Sequence, residues 1–412
     1  MTVERHINDV ADELLLGFRA LVVNGPRQAG KSTLVGQIQR ARGPVVNLDD
    51  PLAMNVASAD PVGFLAGLPP DVAIDEFQRG GNSLLLALKM RLDASSAKGQ
   101  YVLAGSTRFL STRHLEETLT GRIGIVELLP LSAGELRGRR EHFIDRVFAD
   151  DMAAVPSETM TRADYAEAIV TGGFPELALG PVSTRFRTAW CDSYLRTITA
   201  VANVSQVAEV RRPDLFAGLL NQLAARSAHE LTIADIAREL DAGQELVRTY
   251  LDILATLYLV RVLPAWTTSR TNRSKRRGVV HFIDTALAAH LLGETVDSLS
   301  ALTSRWFGPL LETYVVNEIA KQSTWTERPV SLGQYRDRDQ REVDLVIERG
   351  QDIVAIEVKA SATPTLAHAK HLAFVRDRAG DRFKCGVLLH AGSQHLRLGD
   401  RLVAAPISAL WA

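Results

Sequence analysis

The sequence predicts an α/β protein of several domains, on three observations. Residues 1–135 alternate short apolar runs with amphipathic stretches, the pattern of a parallel sheet covered by helices. The middle of the chain turns charged and mostly helical, and closes on two short amphipathic helices followed by strand-like runs. From about Trp306 onward the order becomes helix, strand, strand, helix.

The N-terminal strands are expected at Ala20–Asn24, Val45–Leu48, Val72–Asp75, Gln100–Ala104 and Ile123–Leu128. Helical patterns fall between them, as at Lys31–Arg40 and Ser83–Leu92. After "LLPLS" a helical lid or linker is expected over 136–228, with a turn-rich "TGGFPE" inside it. A helix–turn–helix with flanking strands is expected over 229–300, and an αββα segment over 301–412.

Bulk properties exclude several classes. The chain has 412 residues and a formal charge of −1, so any contact with nucleic acid must come from a local patch. Its two cysteines, Cys191 and Cys385, suit a reducing compartment and no disulfide framework. No secretory signal and no membrane-spanning run are read, so the expected location is the cytoplasm. The ten histidines lack zinc-ligand spacing, and no nucleophile elbow is present.

The strongest chemical signal is "LVVNGPRQAGKSTL". Gly25, Pro26, Arg27, Gln28, Ala29, Gly30, Lys31 and Ser32, followed by Thr33, fit G-x-x-x-x-G-K-[ST] between a strand and a helix. Glycines let the backbone approach phosphate closely, and the loop and helix N–H groups form an anion nest. Lys31 would reach the β- and γ-phosphates, and Ser32 would ligate Mg²⁺. "DVAIDEFQ" ends a strand in Asp75, expected to hold Mg²⁺ through water, and Glu76, expected to accept a proton from the attacking water. Ser106, at the end of "YVLAGST", would orient that water or sense the γ-phosphate.

The ordered set "GPRQAGKSTL", "VNLDDP", "AIDEFQ", "YVLAGST" and "LTGRIGIVELLPLSAGEL" resembles the AAA-type ATPase domain of a widespread prokaryotic family, in which it is joined to a C-terminal DUF4143 domain. The resemblance spans essentially the whole chain. It implies ATP as the nucleotide and an arginine, often supplied by a neighbouring subunit, that stabilises transition-state charge, with Arg122 in "TGRIG" as the first candidate and Arg113 as the second; a homo-oligomer is expected.

Further along, "LTIADIAREL" places Ile233, Ile236, Ala237 and Leu240 on one helical face with Thr232 as N-cap, and "ELVRTYLDILATLYLV" supplies a second helix. Strand-like "LVRVLPAW" and "GVVHFID" flank "TTSRTNRSKRR", as in a winged helix with a basic tip. Arg270, Arg273, Lys275, Arg276 and Arg277 would clamp nucleic-acid phosphates. Gln244 and Arg248 open the second helix, where they could approach base edges.

At the C-terminal side, "WFGPLLETYVVNEIAKQ" reads as a helix with Leu311, Val315 and Ile319 on its core face and Glu312 near that face. Strand alternation then puts Glu357 and Lys359 on the face shared with Ile353 and Ala355. Asp344, Glu357 and Glu312 are candidate Mg²⁺ ligands, with Lys359 positioning a water. This D…E-x-K pattern resembles the PD-(D/E)xK nuclease superfamily, without its proline, and implies a restriction-endonuclease-like domain. Three whole-protein readings stay open: an ATPase acting on DNA with a nuclease-like domain, a non-nucleolytic ATP-dependent switch that binds DNA or a protein partner, and an ATPase acting on protein assemblies with its basic loop solvated.

Overall fold

The computed structural model describes residues 3–40, 42–105, 119–149, 157–181, 183–204, 212–267 and 277–412. They fall into two compact units. The first comprises Met1–Leu131 with Thr256–Tyr258, and the second Ser132–Ala255 with Leu259–Ala412.

In the first unit, α1 (Asn8–Gly17) precedes a five-stranded sheet whose neighbouring strands all pair in parallel. The strands are β1 (Ala20–Asn24), β2 (Val45–Asn47), β3 (Val72–Asp75), β4 (Tyr101–Gly105) and β5 (Ile123–Glu127), in the order β2-β3-β4-β1-β5. Each lies within a residue or so of its expected place. A strand buried on both faces reads as an unbroken apolar run, and every residue of β1 and β4 is buried. Between them run α2 (Lys31–Gln39), α3 (Pro51–Ala59), α4 (Pro61–Gly67) and α5 (Gly81–Ala94). Asp50 and Asp60 start α3 and α4 by accepting from Leu52 and Gly63 amides, with proline at the first helical position of each. Leu48, Phe64, Ile74, Phe77, Leu88 and Leu103 lie in one core against the sheet.

The division between the two units falls between Leu131 and Ser132, for a physical reason. Ser132 caps a short helix, Ala133–Arg137, whose first three amides are all satisfied inside the second unit. The Ala133 amide donates to Glu318 Oε2 at 2.7 Å, the Gly134 amide to Glu141 Oε1 at 2.8 Å, and the Glu135 amide to Ser132 Oγ at 3.1 Å.

In the second unit, the helix Pro213–Ala224 leads to β6 (His229–Glu230), then to the helices Ile233–Glu239 and Gln244–Thr256, then to β7 (Val260–Leu263) and β8 (Val279–Phe282). The three strands form an antiparallel sheet in the order β6-β8-β7. Ile236 and Ala237 are buried as the helical period requires, and Ile233 and Leu240 are half-buried. Thr232 occupies the N-cap without a capping bond from its side chain; its hydroxyl accepts from Arg277 Nη1 at 3.1 Å instead.

"TGGFPE" acquires a structural role. Gly172 has φ 66°, and a Cβ there would collide with the Asp284 carboxylate. That buried carboxylate accepts from the Gly173 and Ala286 amides, so it joins the turn to the start of the helix Thr285–Leu291.

The C-terminal sheet is mixed and six-stranded, in the order β13-β14-β12-β11-β10-β9. Its strands are β9 (Ser331–Arg336), β10 (Glu342–Arg349), β11 (Asp352–Lys359), β12 (Phe383–His390), β13 (Leu396–Gly399) and β14 (Leu402–Pro406). The β10–β11 hairpin is antiparallel, whereas β12 pairs in parallel with both β11 and β14. Ile353 to Val358 are all buried, so β11 is covered on both faces. The helix Phe307–Gln322 is buried around most of its circumference, beyond the single core face expected from Leu311, Val315 and Ile319. Its buried polar residues include Glu318, whose Oε1 accepts from Lys321 Nζ at 2.6 Å.

Candidate functional site

The loop 25–30 joins the carboxyl end of β1 to α2. Gly25 is required by close approach: a Cβ there would overlap the Leu128 carbonyl oxygen. Gln28 (φ 60°) and Gly30 (φ 93°) both adopt left-handed backbone, which folds the loop back before Lys31 opens the helix. Ala29 is fully buried, whereas Ser32 and Thr33 are exposed on the first turn of α2.

Lys31 is only 6 % exposed. Its Nζ donates to the carbonyls of Gly25 (3.1 Å) and Pro26 (2.7 Å). Burial lowers its pKa to about 8, against the opposing pull of Glu76 and Asp75. The two acids expected to work with Lys31 are thus close enough to act on its charge.

Asp75 ends β3 at 3 % exposure, and its Oδ1 accepts from the Glu76 amide at 2.9 Å. Strand β4 lies between β1 and β3, so the acid pair stands two strand spacings, about 10 Å, from the strand that feeds the loop. Glu76 sits at φ 52°, a conformation that costs a non-glycine residue on the order of 1–3 kcal/mol. Its Oε2 accepts from Gln78 Nε2, a partner that sequence reasoning missed because the turn after β3 decides it.

Arg122 is the first candidate for an arginine that is often supplied to a neighbouring subunit's nucleotide. It precedes β5, whose first residue pairs at the level of Ala20, whereas the phosphate loop follows Asn24 at the other end of the sheet. Its guanidinium is engaged by Asp93 and by the Thr120 carbonyl. Arg122 therefore does not stand at the phosphate loop of its own chain. Ser106, Arg113, Arg270, Arg273, Lys275 and Arg276 lie outside the described residues. Arg277 is exposed at the entry to β8, and Gln244 and Arg248 are exposed on their helix.

In the C-terminal domain, Glu312, Asp344, Glu357 and Lys359 form one electrostatic group. Burial, then Asp344, pushes the Glu357 carboxyl up to about 8, with Lys359 opposing. Burial raises Asp344 to about 6, and Glu312 is driven well above the carboxylate range by burial and by its acidic neighbours. The Lys359 ammonium is raised by Glu357, Asp344 and Glu312 although burial opposes this.

Two oxygens of this group have partners within the domain. Glu357 Oε1 accepts from Lys359 Nζ at 2.6 Å, and Asp344 Oδ2 from the Val358 amide at 2.7 Å. Glu357 Oε2 is buried with no hydrogen-bond partner. Among the described residues, no group of three or more His, Cys, Asp or Glu side chains is placed to hold a metal ion. The expected Mg²⁺ ligands Glu312, Asp344 and Glu357 are hard oxygen donors near enough for their charges to raise one another's pKa, and they do not form such a group.

No helix among the described residues is long and apolar enough to cross a membrane. Comparison with known proteins fits this division of the chain. A family described as "AAA domain" matches residues 17–137, and domains of unknown function match residues 162–298 (DUF8612) and 307–410 (DUF4143). The uncharacterized proteins Rv2008c of Mycobacterium tuberculosis and Mb2031c of Mycobacterium bovis are each 26% identical over 391 residues, covering 94% of this chain and 79% of theirs. Among solved structures, the Walker-type ATPase paby2304 of Pyrococcus abyssi is 14% identical, covering 71% of this chain and 96% of its own, with a TM-score of 0.45. The RuvB Holliday junction branch migration motor of Thermotoga maritima is 16% identical over the same shares, with a TM-score of 0.32. Residues 17–137 thus match an AAA domain, which carries the G-x-x-x-x-G-K-[ST] loop, and residues 307–410 match a DUF4143 domain at its C-terminal side.

Proposed function

We propose that this protein is an Mg²⁺-dependent ATPase that acts on or near DNA. The observation that carries the ATPase part is Lys31, buried at the loop 25–30 within electrostatic reach of Asp75 and Glu76. Gly25 to Thr33 would wrap the polyphosphate, and Lys31 would exchange its two carbonyl bonds for phosphate oxygens. Ser32, an exposed hydroxyl at the helix start, and Asp75, a buried carboxylate whose Oδ1 accepts from the Glu76 amide, would hold Mg²⁺. When bound, Mg²⁺ supplies charge neutralisation along the phosphates. Glu76, held by its turn and by Gln78, would take the proton of the attacking water.

The DNA part rests on the 212–282 region. A helix, a short strand, two helices and a hairpin follow in the order of a winged helix, with Gln244 and Arg248 exposed on the second helix of the pair. Arg270, Arg273, Lys275 and Arg276, outside the described residues but between β7 and β8 in sequence, would with Arg277 neutralise backbone phosphates. The hairpin β10–β11, backed by the helix Phe307–Gln322 and the parallel strand β12, supports a nuclease-like fold for the C-terminal domain. Its carboxylates do not fit a ready metal shell, so no cutting step is drawn through them, and the domain is read as a docking body.

The test is ATP turnover of the full chain with and without duplex DNA at low salt. Stimulation that falls steeply with salt, and falls less steeply when the five tip cations are replaced by glutamine, is expected. ATP turnover indifferent to DNA would leave the ATPase and remove the DNA part, favouring the protein-docking switch. Strand breaks that disappear in Asp344→Ala and Glu357→Ala would overturn the non-cutting reading.

A further inference from the structure

The segment ahead of α1 does something that the loop motif does not announce. Arg5 is 6 % exposed, and its guanidinium bridges two backbone carbonyls. Nη1 donates to Ala29 O at 3.0 Å, and Nη2 to Leu129 O at 2.6 Å. Ala29 is the residue before Gly30-Lys31 in the phosphate loop, and Leu129 follows the residue against which Gly25 packs. The same segment is tied to α2 through Gln37, which donates to Val3 O at 3.2 Å and accepts from Asn8 Nδ2 at 3.2 Å.

The direction of the Ala29 carbonyl matters because peptides are planar and trans, so the carbonyl and the next N–H point opposite ways. None of the described peptide bonds is cis. Arg5 draws the Ala29 carbonyl toward itself, which aims the Gly30 N–H to the other side of the loop. A nest for phosphate depends on successive N–H groups being held outward together, and the glycine that follows Ala29 would otherwise leave this peptide free to turn. Arginine suits the task because its planar fork serves two acceptors at once and stays charged at any working pH.

We propose that Arg5 is a positioning residue for the nucleotide: by holding the Ala29–Gly30 peptide it pre-forms the phosphate nest and links nucleotide binding to docking of the N-terminal segment. Arg5 touches no phosphate in this reading, and the proposal rests on the ATPase assignment above.

Nucleotide affinity is measured by calorimetric titration of the full chain with ATP and with ADP, alongside steady-state turnover and thermal melting. Arg5→Ala should weaken both nucleotides by about tenfold, the scale of a lost hydrogen bond to a charged group, with KM rising more than kcat falls. Arg5→Lys keeps the charge and one of the two carbonyl bonds, so it should recover part of the affinity. It also carries the test if the alanine variant does not fold. A lowered melting temperature with wild-type KM in either folded variant would show a merely structural arginine and overturn the proposal. Lys31→Ala separates the two levels. If wild type binds ATP and Lys31→Ala does not, unchanged affinity in the Arg5 variants removes the Arg5 proposal alone. A wild-type protein that binds no nucleotide removes the ATPase assignment and this proposal together.

Discussion

The phosphate loop and the C-terminal carboxylate group solve opposite electrostatic problems. At the loop, one cation is buried and its charge is made costly, so the Lys31 pKa falls. At the hairpin β10–β11, anions are crowded into a buried site, and the pKa values of Glu312, Asp344 and Glu357 rise. Lys31 is held by backbone carbonyls that polyphosphate can replace. Glu357 is held by a side chain of opposite charge, Lys359, which already relieves part of its cost. The first arrangement is poised to receive an anion, and the second is largely neutralised from within. Perturbed groups alone therefore do not separate a working site from a structural one; what their partners are does.

The largest effect expected from breaking the comparison is at Glu76. Glu76→Gln should keep ATP binding and lower turnover by about 10²–10⁴-fold, the usual range for a lost general base. Wild-type turnover in that variant would sink its assignment. Lys31→Ala should next remove measurable ATP binding, read by the same calorimetry, because Lys31 is the buried side chain whose ammonium would exchange its loop carbonyls for phosphate oxygens.

Stability variants sharpen the contrast. At Gly172→Ala, a left-handed backbone and a collision with Asp284 act together, and a loss of about 2–4 kcal/mol is expected from denaturant unfolding. A loss under half a kcal/mol would mean that the turn does not depend on this contact.

The two sites should also differ in the sign of their pH dependence. Glu357 titrates near 8 when folded and near 4.5 ordinarily, so the folded protein holds more protons between those values. Its contribution to stability is present below that window and is lost as pH rises through 8. Glu357→Gln should therefore raise the melting temperature relative to wild type at pH 8 more than at pH 5, by a few degrees. An equal shift at both values would show that the carboxyl is not driven up.

Lys31 behaves in reverse. Its folded pKa near 8 lies below the ordinary 10.5, so the unfolded chain holds more protons in between and stability rises with pH across that window. Phosphate should restore the charge, and ATP binding at pH 9 should take up a fraction of a proton. Calorimetry in buffers of different ionisation enthalpy reads this smallest effect, which should vanish in Lys31→Ala.

How much of this was legible in the sequence differs between the two regions for the same reason. The loop 25–33 is local: its glycines, lysine and serine act through the backbone of one short segment, so spacing alone located it. The central strands β1, β3 and β4 were legible because every one of their residues is buried and their apolar runs are nearly unbroken, whereas β2 and β5, with exposed residues, were legible from their place in the alternation of strand and helix. The arrangement of Glu312, Asp344 and Glu357 was legible only as a set of candidates. Whether three side chains from a helix and two strands converge depends on rotamers and on partners such as the Val358 amide and Lys359. That Arg122 lies at the far end of the sheet from the loop of its own chain was set by parallel strand pairing, which spacing does not reveal.

By itself, the sequence determined the α/β class, the order of the strands along the chain and the identity of the phosphate loop, because these follow from periodicity and local backbone chemistry. Only the tertiary structure decided that β4 separates the two halves of the nucleotide site, that Arg5 reaches Ala29, and that helix Phe307–Gln322 buries Glu318 and Lys321 along with its apolar face. Those outcomes depend on contacts between residues far apart in the chain, whose cost and gain are set by burial and by the partner each polar atom finds.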